Sequence, residues 1–488
     1  MSKDIKNPEQ ARPSNELDVV VLAAGKGTRL KSNTSKVLHP LFEKPLLGHV
    51  LGQLQGLPVH QVSVVVGHQH EAVTDFVNAQ QVDVPFLCQT IHQSPQRGTG
   101  HAVQCVQAAG AIESEYVLVL SGDVPLIQPK TLQTLWEQHQ SSGAAVTVLG
   151  AHMDEPTGYG RLIQDQDGER SQLRAIVEEK DATDAQRRVT LVNSGIYLFS
   201  WSVVAPLLQQ LDANNAQGEL YLTDVVGLAV EGGHAVGVSV LDEATHMQGV
   251  NRRQDLAQCH TVLNALTLER LQDGGVTIVD PTSTWIGPDV VIGSDTVIYP
   301  GCYLSGNVSI GSQCEIGPHA QFWGDVVLGD RVVVNQSVIR DSVIAHDVSI
   351  GPFAHLRNGV NVASHVRLGN FVEVKNTSIG TRTNAAHLSY LGDATIGDDV
   401  NMGAGSITAN YDPVREQKHT TVIESGVKVG CNSVLVAPVK VQKDACVAAG
   451  SVITKDVEAS ALAITRARQS EIKGWVSRIK QAVQPVSS

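Results

Sequence analysis

From Ile286 onward the sequence repeats every six residues, and that period leaves few folds open. Large apolar residues stand at Ile286, Ile292, Ile298, Leu304, Ile310, Ile316, Phe322, Leu328 and Val334, all in one register. A small or β-branched residue stands two positions before each, from Thr284 and Val290 through Cys302 and Cys314 to Val332. A second register runs from Ile344 through Leu356 to Val374, and a third from Val429 through Leu435 to Ile453. Such a repeat predicts a parallel β-helix, in which each face of a prism contributes one large inward residue and stacking buries them as columns. Three hexapeptides close one coil, so residues about eighteen apart stack. A narrow axis has little room for rings, which accounts for an aromatic content of 4%. The register breaks between Val334 and Val338, and again over residues 397–427. A loop that leaves a regular solenoid is an expected binding element.

The first ~250 residues follow another rhythm. Apolar runs at 19–24, 62–67, 116–120 and 144–149 predict strands, and amphipathic stretches at 100–112 and 129–140 predict helices. The alternation predicts a doubly wound, mostly parallel sheet, whose ligands bind at the carboxyl ends of strands. Residues 252–273 read as one helix, with Leu256, Cys259, Leu263 and Leu266 on a common face and Gly274-Gly275 at its end. The expected organisation is a tail over 1–16, an α/β domain over 17–251, a helical linker over 252–275, a β-helix over 276–475 and a C-terminal tail over 476–488.

Bulk properties exclude some partners. Lys and Arg number 36 against 49 Asp and Glu, a net charge of −13, which argues against nucleic-acid binding. An anionic substrate therefore needs a local basic cluster. No apolar run approaches the ~18 residues of a membrane span, so membrane insertion is not expected. The polar N-terminal stretch has no signal-peptide core and reads as a mobile tail. Seven cysteines, an odd number without C-x-x-C pairs, point to free thiols in a reducing, cytoplasmic setting.

Both halves carry chemistry. After the first strand comes "LAAGKGTR", Leu22 to Arg29. It fits neither the Walker pattern nor the dinucleotide fingerprint. Gly25 and Gly27 allow close backbone approach, and Lys26, Arg29 and Lys36 supply positive charge. Their rival reading is a solvated loop. Asp123, in Ser121-Gly122-Asp123 at the end of another buried strand, suits a hard divalent ion such as Mg²⁺. Its rival reading is a helix N-cap. In the β-helix, one of 18 histidines stands apart: His387 lies between the second and third registers, with Tyr390 three residues on. Arg357 and Lys375 stand eighteen apart, so they should stack as a phosphate site; the rival is a solvated ladder of charge.

With "SKVLHPL", "RGTGHAVQ", "SGDVPLI", "PTGYGRL", "IVEEKDAT", "GVNRR", "GPFAHLRNG", "GNFVEVKN", "HLSYLGDATIGDDVNMGAG", "NYD", "LVAPV" and "ALAITRAR" added, in this order over residues 17–475, the chain resembles a bacterial family. That family is the bifunctional N-acetylglucosamine-1-phosphate uridylyltransferases/glucosamine-1-phosphate N-acetyltransferases. The resemblance implies a Rossmann-like nucleotidyltransferase domain, a helical arm and a left-handed β-helix of hexapeptide repeats. It implies UTP, acetyl-CoA and Mg²⁺ as co-substrates and cofactor, glucosamine-1-phosphate and N-acetylglucosamine-1-phosphate as substrates, and a homotrimer.

The resemblance also assigns residues. For UTP and its sugar-nucleotide product it implies Leu22, Ala23, Ala24, Gly25 and Lys36 at the phosphate and uridine cradle, with Arg29 beside them. Gln93, Gly98 and Thr99 fall at the uracil, and Ser121, Gly122 and Asp123 at the nucleotide, Ser121 standing where some members carry Tyr. Gly160, Glu178 and Asn193 fall at the amino sugar, and Asn251 joins Asp123 at the metal. In the β-helix His387 becomes the general base, with Glu373 as its orienting partner. Arg357, Lys375, Tyr390 and Asn401 bind the sugar phosphate. Acetyl-CoA falls to Ala404, Asn410, Tyr411, Cys431, Ala449 and Arg466, with the Ala404 amide as oxyanion donor; Cys431 stands where the family often has Ser. The competing reading is a single-activity sugar-1-phosphate nucleotidyltransferase whose β-helix is structural or regulatory. A structural helix has no reason to keep His387, Tyr390, Lys375, Arg357, Asn410 and Tyr411 together.

Overall fold

The computed structural model describes residues 16–80, 84–167 and 170–483, and these fall into two compact units that divide between Leu263 and Asn264. The expected tail over 1–16 lies, except for Glu16, outside the described residues.

The first unit is an α/β domain. Its sheet comprises β1 (Leu17–Leu22), β2 (Val59–Val66), β3 (Leu87–His92), β4 (Tyr116–Ser121), β5 (Val146–His152), β6 (Arg161–Asp167), β7 (Arg170–Val177), β8 (Leu191–Ser200) and β9 (Val236–Leu241). The strand order is β9-β5-β8-β4-β1-β2-β3, with β6 joining β8 and β7 joining β6. β1 runs parallel to β2 and β4, and β2 to β3. The apolar run of β1 follows from burial on both faces: Val19 and Val21 enter one core cluster and Val20 the other. Helices α1 (Thr99–Ala108) and α2 (Pro129–Ser142) follow β3 and β4.

The mostly parallel expectation holds along the main path of the sheet, with one exception at its centre. β8 runs antiparallel to both β4 and β5. It is absent from the strands legible in sequence because Asn193-Ser194-Gly195 interrupts its apolar run, where the pairing register shifts and Gly195 takes φ 78°.

Helix α3 (Arg253–Asp273) is the expected arm. Its buried stripe is not the one read from spacing: Cys259 and Leu263 are buried, but Leu256 and Leu266 are only partly so, and burial passes to Asn264, Leu268 and Leu271. Asn264 caps the first coil of the second unit, donating from Nδ2 to the Thr284 carbonyl at 2.9 Å and accepting from the Ile286 amide at 2.8 Å. It satisfies an otherwise open sheet edge.

The second unit is a left-handed parallel β-helix. Ile286 pairs with Leu304 and Leu304 with Phe322, eighteen residues per coil. No large residue of the first register is more than 8% exposed, and the small residues from Thr284 to Val332 are buried beside them. The longest break is an insertion: Ala394 pairs with Thr421, so that coil takes 27 residues (394 to 421). Its excess carries a hairpin, Tyr411–Asp412 against Gln417–Lys418. Trp475–Val483, beginning one residue before the expected C-terminal tail, forms helix α4, with Trp475, Val476 and Ile479 exposed.

Candidate functional site

The first site lies at the carboxyl ends of β1, β3 and β4. Leu22, Ala23, Ala24, Gly25, Lys36, Gln93, Gly98, Thr99, Ser121 and Asp123 all line one cavity of about 810 Å³. Gly122 belongs to the same wall, its amide donating to the Leu22 carbonyl at 3.0 Å. A neighbouring cavity of about 550 Å³ shares Ser121 and Asp123 and adds Arg29 and Asn251. Three further predicted residues converge beside β8. The Asn193 amide donates to the Gly160 carbonyl at 2.8 Å, and both Glu178 carboxylate oxygens lie 3.5 Å from where a Cβ on Gly160 would sit. Burial pushes the Glu178 carboxyl above its usual range.

Charge is concentrated where the cavities meet. Gly27, at φ 59°, leaves no Cβ to strike Lys36, which would otherwise approach it to 2.8 Å. The Lys36 ammonium pairs with Asp123 and lies 2.9 Å from Asn251 Oδ1, to which Arg29 also donates at 2.8 Å. Asp123 Oδ2 and Asn251 Oδ1 therefore both reach a single cation. Two hard oxygen donors aimed at one point, open to phosphate oxygens and water, fit a hard divalent cation. The N-cap reading of Asp123 fails, because α2 begins at Pro129 after Gln128.

Two supports escaped the sequence reading. Asp255 accepts from the Asn251 and Arg252 amides at 2.9 and 2.7 Å, fixing the loop that presents Asn251. An acidic residue in the first turn of α3 was the available signal. Gln96 donates to the Ala24 carbonyl at 2.6 Å, and nothing local to "SPQRG" announces that contact.

The second site follows one corner of the prism. Asn370 pairs with His387 in adjacent coils. Gly405 then bonds to Leu388, Asn432 to Ala404, and Gly450 to Cys431. These bonds stack Asn370, His387, Ala404, Cys431 and Ala449, at the ~4.8 Å spacing of neighbouring strands. Arg466 closes the top, donating to the Ala449 carbonyl at 2.7 Å. His387 is exposed, and its Nδ1 donates to Asn370 Oδ1 at 2.9 Å.

The face beginning at this corner carries the cations. Arg357 pairs with Lys375, as the spacing of eighteen predicts. Lys418, from the hairpin, joins them: its ammonium, ahead of the Arg357 guanidinium, holds Lys375 below its usual pKa. Sequence reasoning missed Lys418, because a 27-residue coil defeats the stacking rule. Asn410 donates to Tyr390 Oη at 3.4 Å and also to Asp393, while Tyr411 stands exposed in the hairpin.

Two expectations are corrected. Glu373 does not orient His387; Arg357 donates to its Oε1 from Nη2 and Nε at 2.6 and 3.1 Å, and it pairs in register with Tyr390. It sits past the corner, next to a cation, and Asn370 takes the orienting position. Within one copy of the chain, Asn401 does not lie with Arg357, Lys375 and Tyr390. It is exposed on a different face, paired with Asn384 and Lys428.

Comparison with known proteins follows the same division. Residues 19–193 match the MobA-like NTP transferase domain, and residues 286–383 the GMPPB C-terminal domain. The chain is 46% identical to "Bifunctional protein GlmU" of Exiguobacterium sp. strain AT1b over 94% of its own length and 99% of the relative's. It is 46% identical to the protein of that name from Synechococcus sp. strain CC9605, over 95% and 99%. For Fervidobacterium nodosum the identity is 45% over 96% and 99%.

Proposed function

This chain belongs to the family of bifunctional GlmU proteins, and from that premise we propose how its two units divide the two reactions. The β-helix acetylates glucosamine-1-phosphate with acetyl-CoA. The α/β unit transfers uridylyl from UTP to the N-acetylglucosamine-1-phosphate so formed and releases pyrophosphate. The observation that carries acetyl transfer is the corner ladder, which sets a histidine between an orienting amide and a backbone amide, beside three cations.

In acetyl transfer, Arg357, Lys375 and Lys418 hold the sugar phosphate. Asn370 accepts a hydrogen bond from the Nδ1–H of His387, so Nε2 keeps the lone pair that accepts the amine proton. The amine nitrogen attacks the thioester carbonyl, and the Ala404 amide steadies the oxyanion. The carbon–sulfur bond breaks, and the coenzyme leaves as its thiol with the proton His387 received. Asn410, Tyr411, Cys431, Ala449 and Arg466 line the coenzyme's path.

In uridylyl transfer, a phosphate oxygen that is already ionised attacks the α-phosphorus, so positioning and charge neutralisation suffice. Lys36 and Arg29 neutralise the triphosphate, while Gly25 and its neighbours cradle it. Asp123 and Asn251 would hold Mg²⁺, which would supply further neutralisation of the phosphates. Gly160, Glu178 and Asn193 receive the amino sugar.

A homotrimer is part of this reading. Asn401 faces away from Arg357, Lys375 and Tyr390 within one prism, so it reaches the sugar only from a neighbouring copy. The setting is the cytoplasm. The test incubates the purified chain with glucosamine-1-phosphate, acetyl-CoA, UTP and Mg²⁺ and follows free CoA and pyrophosphate separately. Release of both, with pyrophosphate dependent on prior acetylation, is expected; pyrophosphate release that ignores acetyl-CoA and no CoA release returns the single-activity reading.

A further inference from the structure

His101, on the first turn of α1, touches Gln93 inside the nucleotide cavity. Gln93 is 4% exposed, yet its side chain borders the cavity. Its amide nitrogen spends both protons on the chain: Nε2 donates to the Gly98 carbonyl at 2.9 Å and to His101 Nδ1 at 3.1 Å. Among the described residues, Oε1 has no hydrogen-bond partner and is not sealed from the cavity.

Both acceptors are themselves held. Gly98 has φ 109°, and a Cβ there would lie 2.5 Å from the Leu220 carbonyl oxygen, so only glycine turns its own carbonyl this way. His101 Nδ1 faces an amide N–H and so accepts, which places the ring's single proton on Nε2, 3.7 Å from Cys105 Sγ one turn along α1. Burial, with Arg97 nearby, holds His101 below its usual pKa, so the ring stays neutral. A rotated Gln93 amide would set its oxygen against two acceptors and leave its protons facing the cavity.

We propose that His101 is the positioning residue that makes the nucleotide site specific for a pyrimidine carrying a ring N–H, by fixing Gln93 with its carbonyl oxygen toward the base. This rests on the reading that Gln93 meets the uracil. Uracil offers N3–H to that oxygen. Cytosine offers a bare N3, so two lone pairs would face each other in a desolvated site, a mismatch that binding sites of this kind reject strongly. A methyl group at C5 of uracil leaves N3–H in place and is not discriminated by this device.

The test measures kcat/KM for UTP and CTP with N-acetylglucosamine-1-phosphate and Mg²⁺ on the full-length chain. His101→Leu, which removes the acceptor, is expected to lower the UTP-to-CTP ratio by roughly tenfold or more, with acetyl transfer and melting temperature unchanged. His101→Asn keeps an acceptor near the Nδ1 position and is expected to retain the ratio. The proposal is overturned if His101→Leu keeps the wild-type ratio, or if both variants lower it equally. Gln93→Leu separates the two levels. If Gln93→Leu keeps the ratio, Gln93 does not meet the base and the underlying reading fails. If it collapses the ratio while His101→Leu does not, only the positioning role fails. Where His101→Leu does not fold, His101→Phe, which fills the imidazole's space without an acceptor, decides on the same ratio: a fall of roughly tenfold or more supports the proposal, and the wild-type ratio overturns it.

Discussion

His387 Nδ1 donates a hydrogen bond to Asn370 Oδ1 at 2.9 Å, one coil below on the same corner, and this fixes which imidazole nitrogen faces outward. An acceptor at that position sets the tautomer a general base needs.

If His387 is the base proposed above, removing it and removing Asn370 should differ in degree. His387→Ala is expected to lower acetyl transfer by roughly 10²–10⁴-fold, and Asn370→Ala by about tenfold, as a lost orienting bond. Uridylyl transfer should be untouched in both. Acetyl transfer near wild type in a normally melting His387→Ala variant would remove it from the mechanism.

Asp123→Asn keeps size and removes charge next to Lys36 and Asn251. Uridylyl transfer is expected to fall by at least ~10²-fold, the scale of one strong charge-stabilising group, while acetyl transfer continues. A parallel fall in both activities, measured on one preparation, would point to misfolding instead.

The cations predict a pH dependence. Lys418 holds Lys375 below its usual pKa, so Lys375 is charged at low pH and loses its proton earlier than an isolated lysine as pH rises. Affinity for glucosamine-1-phosphate should decline on the alkaline side through that lowered pKa. In Lys418→Ala the decline should move to higher pH, while KM at neutral pH rises for want of one cation. Profiles of KM against pH that coincide for the two proteins would refute the coupling.

The α/β unit should carry an acid limit of its own. His139 is buried, accepting from or donating to Thr147 Oγ1 at 2.7 Å, and burial lowers its pKa to about 4. The unfolded chain, with an imidazole near ~6.5, then binds the proton more readily. Stability is full above that value and is lost as pH falls toward about 4, by at most about 3 kcal/mol. Denaturant unfolding of His139→Asn should show a shallower loss over that window; an identical slope would exclude His139.

The sequence by itself determined the columns of the β-helix, since a period of six forces Ile286, Leu304 and Phe322 inward whatever surrounds them. It determined the stacked Arg357 and Lys375 for the same reason, and the glycine-rich loop at the end of the first strand. Only the tertiary structure decided the partners. The coil joining Asn370 to His387 takes 17 residues (370 to 387), not eighteen, and that one-residue difference decides which side chain His387 meets. The 27-residue coil brings Lys418 to Lys375, and a bulged strand at the sheet centre brings Asn193 to Gly160. Asp255 against Asn251, and His101 against Gln93, are likewise contacts of folded loops. A repeat reports its own period, but breaks in the repeat set which residues meet, and those breaks close only when the chain is folded.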